Sequence, residues 1–141
     1  MVDAAPGRSL SRGGRIVDAY AALSRGDPDT FCRIHDAQVI TVDPALGNPV
    51  GTTAVLAEHR SLLIAFPDLR YSVEQVIDAP PYTVARLRVQ GTHRGAWGRH
   101  RPTGRLLSAL LCEVCEWMDD GIVTRRRYWD RRAALAQLGL A

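Results

Sequence analysis

LLSALLCEVCEWMDDGIVTRRRYWD, residues 106–130, is the stretch on which the fold turns. From Leu106 to Met118 it is apolar on both faces, the pattern of a central strand covered on each side. Asp119-Asp120-Gly121 supplies the residues of a tight hairpin turn, and Ile122 to Trp129 returns as the last strand. Asp130 is placed to cap a short final helix that runs to Leu138.

Working back toward the N-terminus, Thr83 to His93 reads as another strand. Ala85, Leu87 and Val89 fall on one face, with Arg86, Arg88 and Gln90 on the other. The Gly-rich segment 95–104 joins this strand to the central one, and Asp78-Ala79-Pro80-Pro81 forms the turn before it. Leu69 to Ile77 alternates as well, setting Leu69, Tyr71, Val73 and Ile77 on one face. Earlier in the chain the period changes. Ile16, Val17, Tyr20 and Leu23 recur at helical spacing between Ser11 and Ser24, and Gly26-Asp27-Pro28 ends that helix and starts a short one over 29–35. Gln38 to Val42 is a short strand closed by Asp43-Pro44. A third helix, with Thr52 or Thr53 as its cap, runs to about Ala65 with Val55, Leu56, His59, Leu62, Leu63 and Phe66 along one stripe. Helices first and a curved, mainly antiparallel sheet afterwards make an α+β fold in which the sheet buries one face against the helices, with a cone and a pocket as the outcome. The expected organisation is a loose tail over residues 1–10 and one domain over 11–141.

The 141-residue chain is long enough for one core. Its 46% hydrophobic and 23% charged content is that of an ordinary globular protein. No apolar run approaches the ~20 residues of a membrane span, and the N-terminal stretch lacks the apolar block of a signal peptide, so a cytoplasmic protein without membrane association is expected. All 18 basic residues are Arg. The absence of Lys removes Schiff-base chemistry and phosphate-loop lysines, while Arg suits carboxylates, enolates and phosphates; a GC-rich genome gives the same bias. Arg is spread along the chain, and its densest groups, 99–105 and 125–132, match no helix-turn-helix or zinc module, which argues against a nucleic-acid partner. Cys112 and Cys115 share a two-residue spacing but point to opposite faces of a strand with no second pair, so they read as buried, inert thiols. His35, His59 and His100 show no ligand spacing, and neither a metal nor a cofactor is expected.

Four side chains stand out against this background. His93 continues the apolar face of its strand, where an imidazole is either a proton-transfer group or a satisfied core histidine. Arg125 and Arg127 share a face with Trp129, and if that face meets a pocket their guanidinium groups stabilise a developing oxyanion or hold a carboxylate; otherwise they form a solvated edge. Glu113, among Leu111, Cys112, Val114 and Cys115, must be paired or have a raised pKa, which makes it a base, the partner of Arg127 or one half of a structural salt bridge. Trp97, Trp117 and Trp129 wall an apolar pocket or belong to the core.

Several local signatures then coincide: Asp43-Pro44-Ala45 before a Gly-rich loop, Phe66-Pro67-Asp68-Leu69, Gly91-Thr92-His93, Pro102-Thr103-Gly104-Arg105, Asp120-Gly121-Ile122-Val123, and Tyr128-Trp129-Asp130 leading to Gln137-Leu138-Gly139-Leu140. In this order the chain resembles the SnoaL-like branch of the nuclear transport factor 2 superfamily over about four-fifths of its length. The resemblance implies a cone-shaped α+β barrel, commonly a homodimer, whose pocket hosts polyketide cyclases, epoxide hydrolases, isomerases or non-catalytic binding proteins. It also makes Asp43 a polar pocket residue that binds substrate or accepts a proton, with a turn-forming role as the plainer explanation. The chain departs from the family where it counts. The aspartate that the cyclases and limonene-type epoxide hydrolases carry on the last strand is Arg127 here, and the hydrolases' further aspartate and arginine fall at His93 and Gly91. The cyclases place a histidine at or beside Glu113.

The reading is therefore a cofactor-independent cyclase or isomerase of a small, largely apolar, polyketide-type metabolite. His93 or Glu113 serves as acid/base and Arg127 as oxyanion stabiliser, with Asp43, Arg125, Trp117 and Trp129 contacting substrate. A ligand-binding or accessory protein that has lost the aspartate chemistry is the alternative, and an atypical hydrolase or hydroxylase is a third reading.

Overall fold

The computed structural model describes residues 11–141, so the tail expected over 1–10 lies outside the described residues. Four helices and five strands follow in the order α1 (Arg12–Ser24), α2 (Pro28–Cys32), β1 (His35–Val42), α3 (Thr52–Ala65), β2 (Arg70–Ala79), β3 (Tyr82–Thr92), β4 (Leu106–Met118), β5 (Gly121–Trp129) and α4 (Arg131–Gln137). The strands form one sheet in the order β1-β5-β4-β3-β2, with β1 parallel to β5 and every other pair antiparallel. This is an α+β fold whose sheet curls around the helices without closing into a full barrel. Among the described residues no helix is long and apolar enough to cross a membrane.

Local chemistry explains the element ends. Ser11 caps α1 by accepting from the Gly14 N–H, Asp27 caps α2 with Pro28 in its first turn, and Asp130 caps α4 by accepting from the Ala133 N–H. The β4–β5 hairpin turns on Asp119 and Asp120, with Asp119 at φ 54°, a conformation that Asp tolerates better than most residues. α3 corrects an expectation, because Gly51 at φ 94° occupies the N-cap position and Thr52 is already helical. A residue with a Cβ is strained at that φ, so the chain enters α3 on glycine geometry and makes no side-chain cap bond. The second helix is shorter than expected, ending at Cys32, and His35 opens β1 instead.

α1 packs on β2 and β3, α3 on β1, and α4 on β4. Two apolar clusters result. One, around Ile16, Tyr20, Phe31, Val39, Leu87, Leu111 and Trp117, fills the space between α1, α2 and the sheet. The other, around Phe66, Leu69, Leu107, Ala134 and Leu138, joins the end of α3 to α4. Each fully buried large side chain in them contributes roughly 1.5–3 kcal/mol.

Two strand expectations need correction. In β2 the ladder shifts between Val73 and Gln75, so two residues of β2 oppose one of β3 and the alternation reverses. Val76 packs on the core in place of Ile77, which is half exposed. In β4 only one face is covered: Leu107, Leu111, Glu113, Cys115 and Trp117 are buried, whereas Leu106 is 73%, Leu110 50% and Met118 65% exposed. Cys112 shares that outer face and is half-buried, so of the two β4 thiols only Cys115 is buried; both are free.

Candidate functional site

A cavity of about 520 Å³ opens between α3, α4, β5 and the 94–105 loop, within the usual range for small-molecule sites. Its walls are mainly apolar, from Leu62, Val89, Leu107, Leu111, Trp97 and Trp129. Its polar wall brings together three side chains far apart in sequence. Asp43 ends β1, Glu58 lies in the middle of α3, and Arg127 comes from β5.

The wall is assembled by register and by helix phase. Arg125, Arg127 and Trp129 alternate onto the inner face of β5, as two-residue periodicity requires. Trp129 Nε1 donates to Asp43 Oδ2 at 3.0 Å, while the other Asp43 oxygen accepts from the Ala45 N–H at 2.8 Å and shapes the turn after β1. Asp43 therefore plays the turn role and also lines the cavity. Arg127 hydrogen-bonds through an NH group to Glu58, and its Nε lies 3.7 Å from Asp43 Oδ2 and 3.8 Å from Glu113 Oε2. That Nε is a buried donor with no hydrogen-bond partner among the described residues.

Glu113 and Arg125 form a second, sealed layer behind Arg127. Glu113 is opposite Arg127 in the β4–β5 ladder, yet its closest ion pair is with Arg125, at 2.9 Å, and it also accepts from the Tyr20 hydroxyl at 2.9 Å. Burial alone raises its pKa, but Arg125 and Arg127 and the hydrogen bonds from Arg125 and Tyr20 outweigh burial and bring it down to about 2. Burial works against the charge on Arg125 too, and Glu113 reverses that effect and keeps it protonated. Burial, followed by the charge on Glu113, pushes the Tyr20 hydroxyl well above its ordinary pKa, so Tyr20 remains a donor. Neither Glu113 nor Arg125 lines the cavity.

The remaining predicted residues fall elsewhere. His93 is fully buried just beyond β3, stacked obliquely on Phe66 with ring centroids 5.4 Å apart. Its Nδ1 lies 3.1 Å from Thr103 Oγ1 and 3.2 Å from the Thr103 N–H, which makes that nitrogen the acceptor and fixes one end of the 94–105 loop. Its pKa is lowered, first by burial and then by neighbouring His100. His93 does not line the cavity. Trp117 lies at the far end of β4, where its Nε1 donates to Thr83 at 3.0 Å and Arg12 and Arg15 cover its ring; it does not line the cavity either. Asp43, Arg127 and Trp129 thus share the cavity, with Glu113 and Arg125 supporting them from behind.

Sequence reading missed Glu58 and the rim residues Arg99, His100 and Arg131. Glu58 sits one residue before His59, beside the apolar stripe of α3, where a carboxylate ordinarily faces water. Its spacing to Ser61 and Leu62, which also line the cavity, is the one local signal that was available. Among the described residues, no group of three or more His, Cys, Asp and Glu side chains is arranged to hold a metal ion.

The fold is shared with solved proteins of low sequence identity. TsrD from Streptomyces laurentii superposes with a TM-score of 0.81 at 20% identity, over 94% of this chain and 100% of that one. AclR from Streptomyces galilaeus, for which a hydroxylase activity is proposed, gives 0.78 at 22% identity over 90% and 94%. IdmH from Streptomyces antibioticus, a proposed polyketide cyclase, gives 0.75 at 22% identity over 89% and 96%. No curated protein matches the sequence significantly. At these identities the structural likenesses carry the fold alone, but the model of one family, the SnoaL-like polyketide cyclases, matches residues 14–138, and the chain belongs to that family.

Proposed function

We propose that the protein is a cofactor-independent cyclase or isomerase of a small, largely apolar metabolite of the polyketide type, acting by proton transfer at the Asp43–Arg127–Glu58 wall. The observation that carries this reading is the arrangement itself: two carboxylates flank a guanidinium whose Nε has no hydrogen-bond partner among the described residues, on the wall of an apolar cavity. A ligand carbonyl directed at that Nε is polarised, and charge developing on its oxygen is stabilised where water is scarce. Asp43 or Glu58 removes the proton from the adjacent carbon as the C–H electron pair moves toward the oxygen. In an isomerisation the same proton returns to another carbon. In a cyclisation the enolate carbon attacks a second carbonyl, and the resulting alkoxide takes the proton back.

Glu113 suits a supporting role better than a basic one, since a carboxylate held near pKa 2 and bonded to Arg125 and Tyr20 is a weak proton acceptor. It serves as the counterion that holds Arg125 and orients Arg127. His93 positions the loop through Thr103. The test is turnover of a panel of polyketide-like diketones and β-keto esters by the wild type, Asp43→Asn, Glu58→Gln and Arg127→Gln. Loss in Arg127→Gln and in one of the two carboxylate variants supports the reading, and full activity in all three removes it.

One observation favours a non-catalytic binding protein instead. Both Asp43 oxygens already accept hydrogen bonds, and Glu58 is bonded to Arg127, so the polar wall is largely paired within itself. Ligands that raise the melting temperature without being converted would establish that alternative.

We further propose a homodimer formed through the outer face of the sheet. Leu110, Met118 and Tyr128 are exposed there beside Glu74, Arg86, Arg88, Glu116 and Arg126, and a two-fold axis lets the arginines of one copy meet the glutamates of the other. Light scattering of the wild type and of Leu110→Glu tests this: a dimer that becomes a monomer supports it, and a wild-type monomer overturns it.

A further inference from the structure

The cavity is polarised along its depth, and the reading of it as the ligand site leads to a more specific inference. Its acidic residues are buried Asp43 and half-buried Glu58, whereas the charged residues among its exposed lining are Arg99 and Arg131, with half-buried His100 beside them. Away from the mouth, two lining carboxylates (Asp43, Glu58) face one guanidinium (Arg127), a formal net charge of −1, and the Glu113–Arg125 pair behind them adds none. Ion pairs among the described residues involve Arg86, Arg88, Arg125 and Arg127, so neither rim arginine has a carboxylate within 4.0 Å there.

The rim arginines are held by built elements. Arg99 sits at the tip of a two-residue turn in which Trp97 and His100 exchange hydrogen bonds of 2.9 Å and Gly98 adopts φ 58°. Trp97 anchors that turn by packing edge-on against Phe66 at 5.4 Å and stacking with Trp129 at 6.4 Å. The N–H groups of Arg94 and Gly95 both donate to the Ala65 carbonyl, which ties the loop to the end of α3. Gly95 is required for that approach, because a Cβ there would lie 1.9 Å from the Ile64 carbonyl oxygen. Arg131 is the first residue of α4, directly after the Asp130 cap that fixes the start of the helix.

We propose that the natural ligand is an anion: an apolar body that enters the cavity with a carboxylate or phosphate remaining at the mouth, held by Arg99 and Arg131. Guanidinium groups bind either anion through paired N–H donors. The negative deep end repels the same group, so the field also sets orientation and delivers the uncharged end of the ligand to Asp43, Arg127 and Glu58.

Isothermal titration calorimetry with phenanthrene-9-carboxylate, phenanthrene-9-carboxamide and 9-phenanthryl phosphate tests this on the wild type, Arg99→Gln, Arg131→Gln and the double variant. Expected is at least one anion binding about tenfold tighter than the carboxamide at low ionic strength, a preference that shrinks with added salt and falls toward one in the double variant. The tighter of the two anions identifies carboxylate or phosphate as the group. Equal affinity for all three compounds overturns the anionic ligand but leaves the cavity as a binding site. If none of the three binds, the cavity reading falls and the inference falls with it.

Discussion

Arg125 and Arg127 are two residues apart on one strand, point to the same side, and are both nearly buried, yet they sit in different chemical settings. Arg125 is enclosed by α1 and α2, beneath the Phe31 ring and paired at 2.9 Å with a carboxylate that Tyr20 also holds. Arg127 opens onto the cavity, bonded to Glu58 from a different helix. The strand supplies both guanidiniums in equivalent positions, and the helices packed opposite decide that one is sealed and the other is presented. Each keeps an Nε without a hydrogen-bond partner among the described residues, but only Arg127 lines the cavity, so of the two only its guanidinium is placed to meet a ligand.

This contrast is broken most severely at Glu113. Glu113→Gln leaves Arg125 buried without its counterion, and an expected loss of about 3–5 kcal/mol should appear in urea unfolding. The pH dependence has a definite sign. A folded pKa of about 2 against an ordinary 4.5 means that Glu113 contributes stability above pH 4.5, which is lost as pH falls from there toward 2. Thermal unfolding across that range should show the loss in the wild type and a shallower one in Glu113→Gln. At the open arginine the larger effect should be on chemistry. Arg127→Gln is expected to lower turnover of any converted substrate about 100-fold or more, with a smaller stability cost than Glu113→Gln. The reverse ranking would erase the distinction between the two arginines.

A milder test sits on the cavity's roof. Gly95→Ala forces a Cβ into the Ile64 carbonyl, so the loop must move, at roughly 1–3 kcal/mol, and ligand affinity should fall more than it would for a change on the sealed side. Trp117→Phe provides that sealed-side control. It removes one hydrogen bond to Thr83, costs about 1 kcal/mol, and should leave ligand binding unchanged. Altered binding in Trp117→Phe would show that the two regions are coupled.

Much of the fold was legible because each element carries its own period. Ile16, Tyr20 and Leu23 mark α1 at helical spacing, and Ala85 and Leu87 mark the inner face of β3 at spacing two. Ile77 was misplaced because a bulge at residue 74 depends on how β2 pairs with β3, and nothing within β2 announces it. The outer face of β4 was expected to be covered because an apolar sequence says that a surface avoids water but not what meets it. The site was legible in part. Arg127 and Trp129 could be named from alternation and Asp43 from the family resemblance, while Glu58 could not, since its partner is 69 residues away and on another element.

His93 marks the boundary of what sequence decides. Its place in the alternation of β3, one residue past the strand's end, forecast burial, and it is fully buried. Burial and cavity lining leave the same trace in a sequence, however, because both place a residue on the inner face. The sequence by itself determined the element order, the α+β class and the shared face of Arg125, Arg127 and Trp129, because these follow from local periodicity; the helices packed on that face decide that it points inward. Only the tertiary structure decided that Phe66 and Thr103 close around His93 while Asp43 and Glu58 gather at Arg127. Which side chains share a cavity depends on how separate elements pack, and that is a property of contacts distant in the chain.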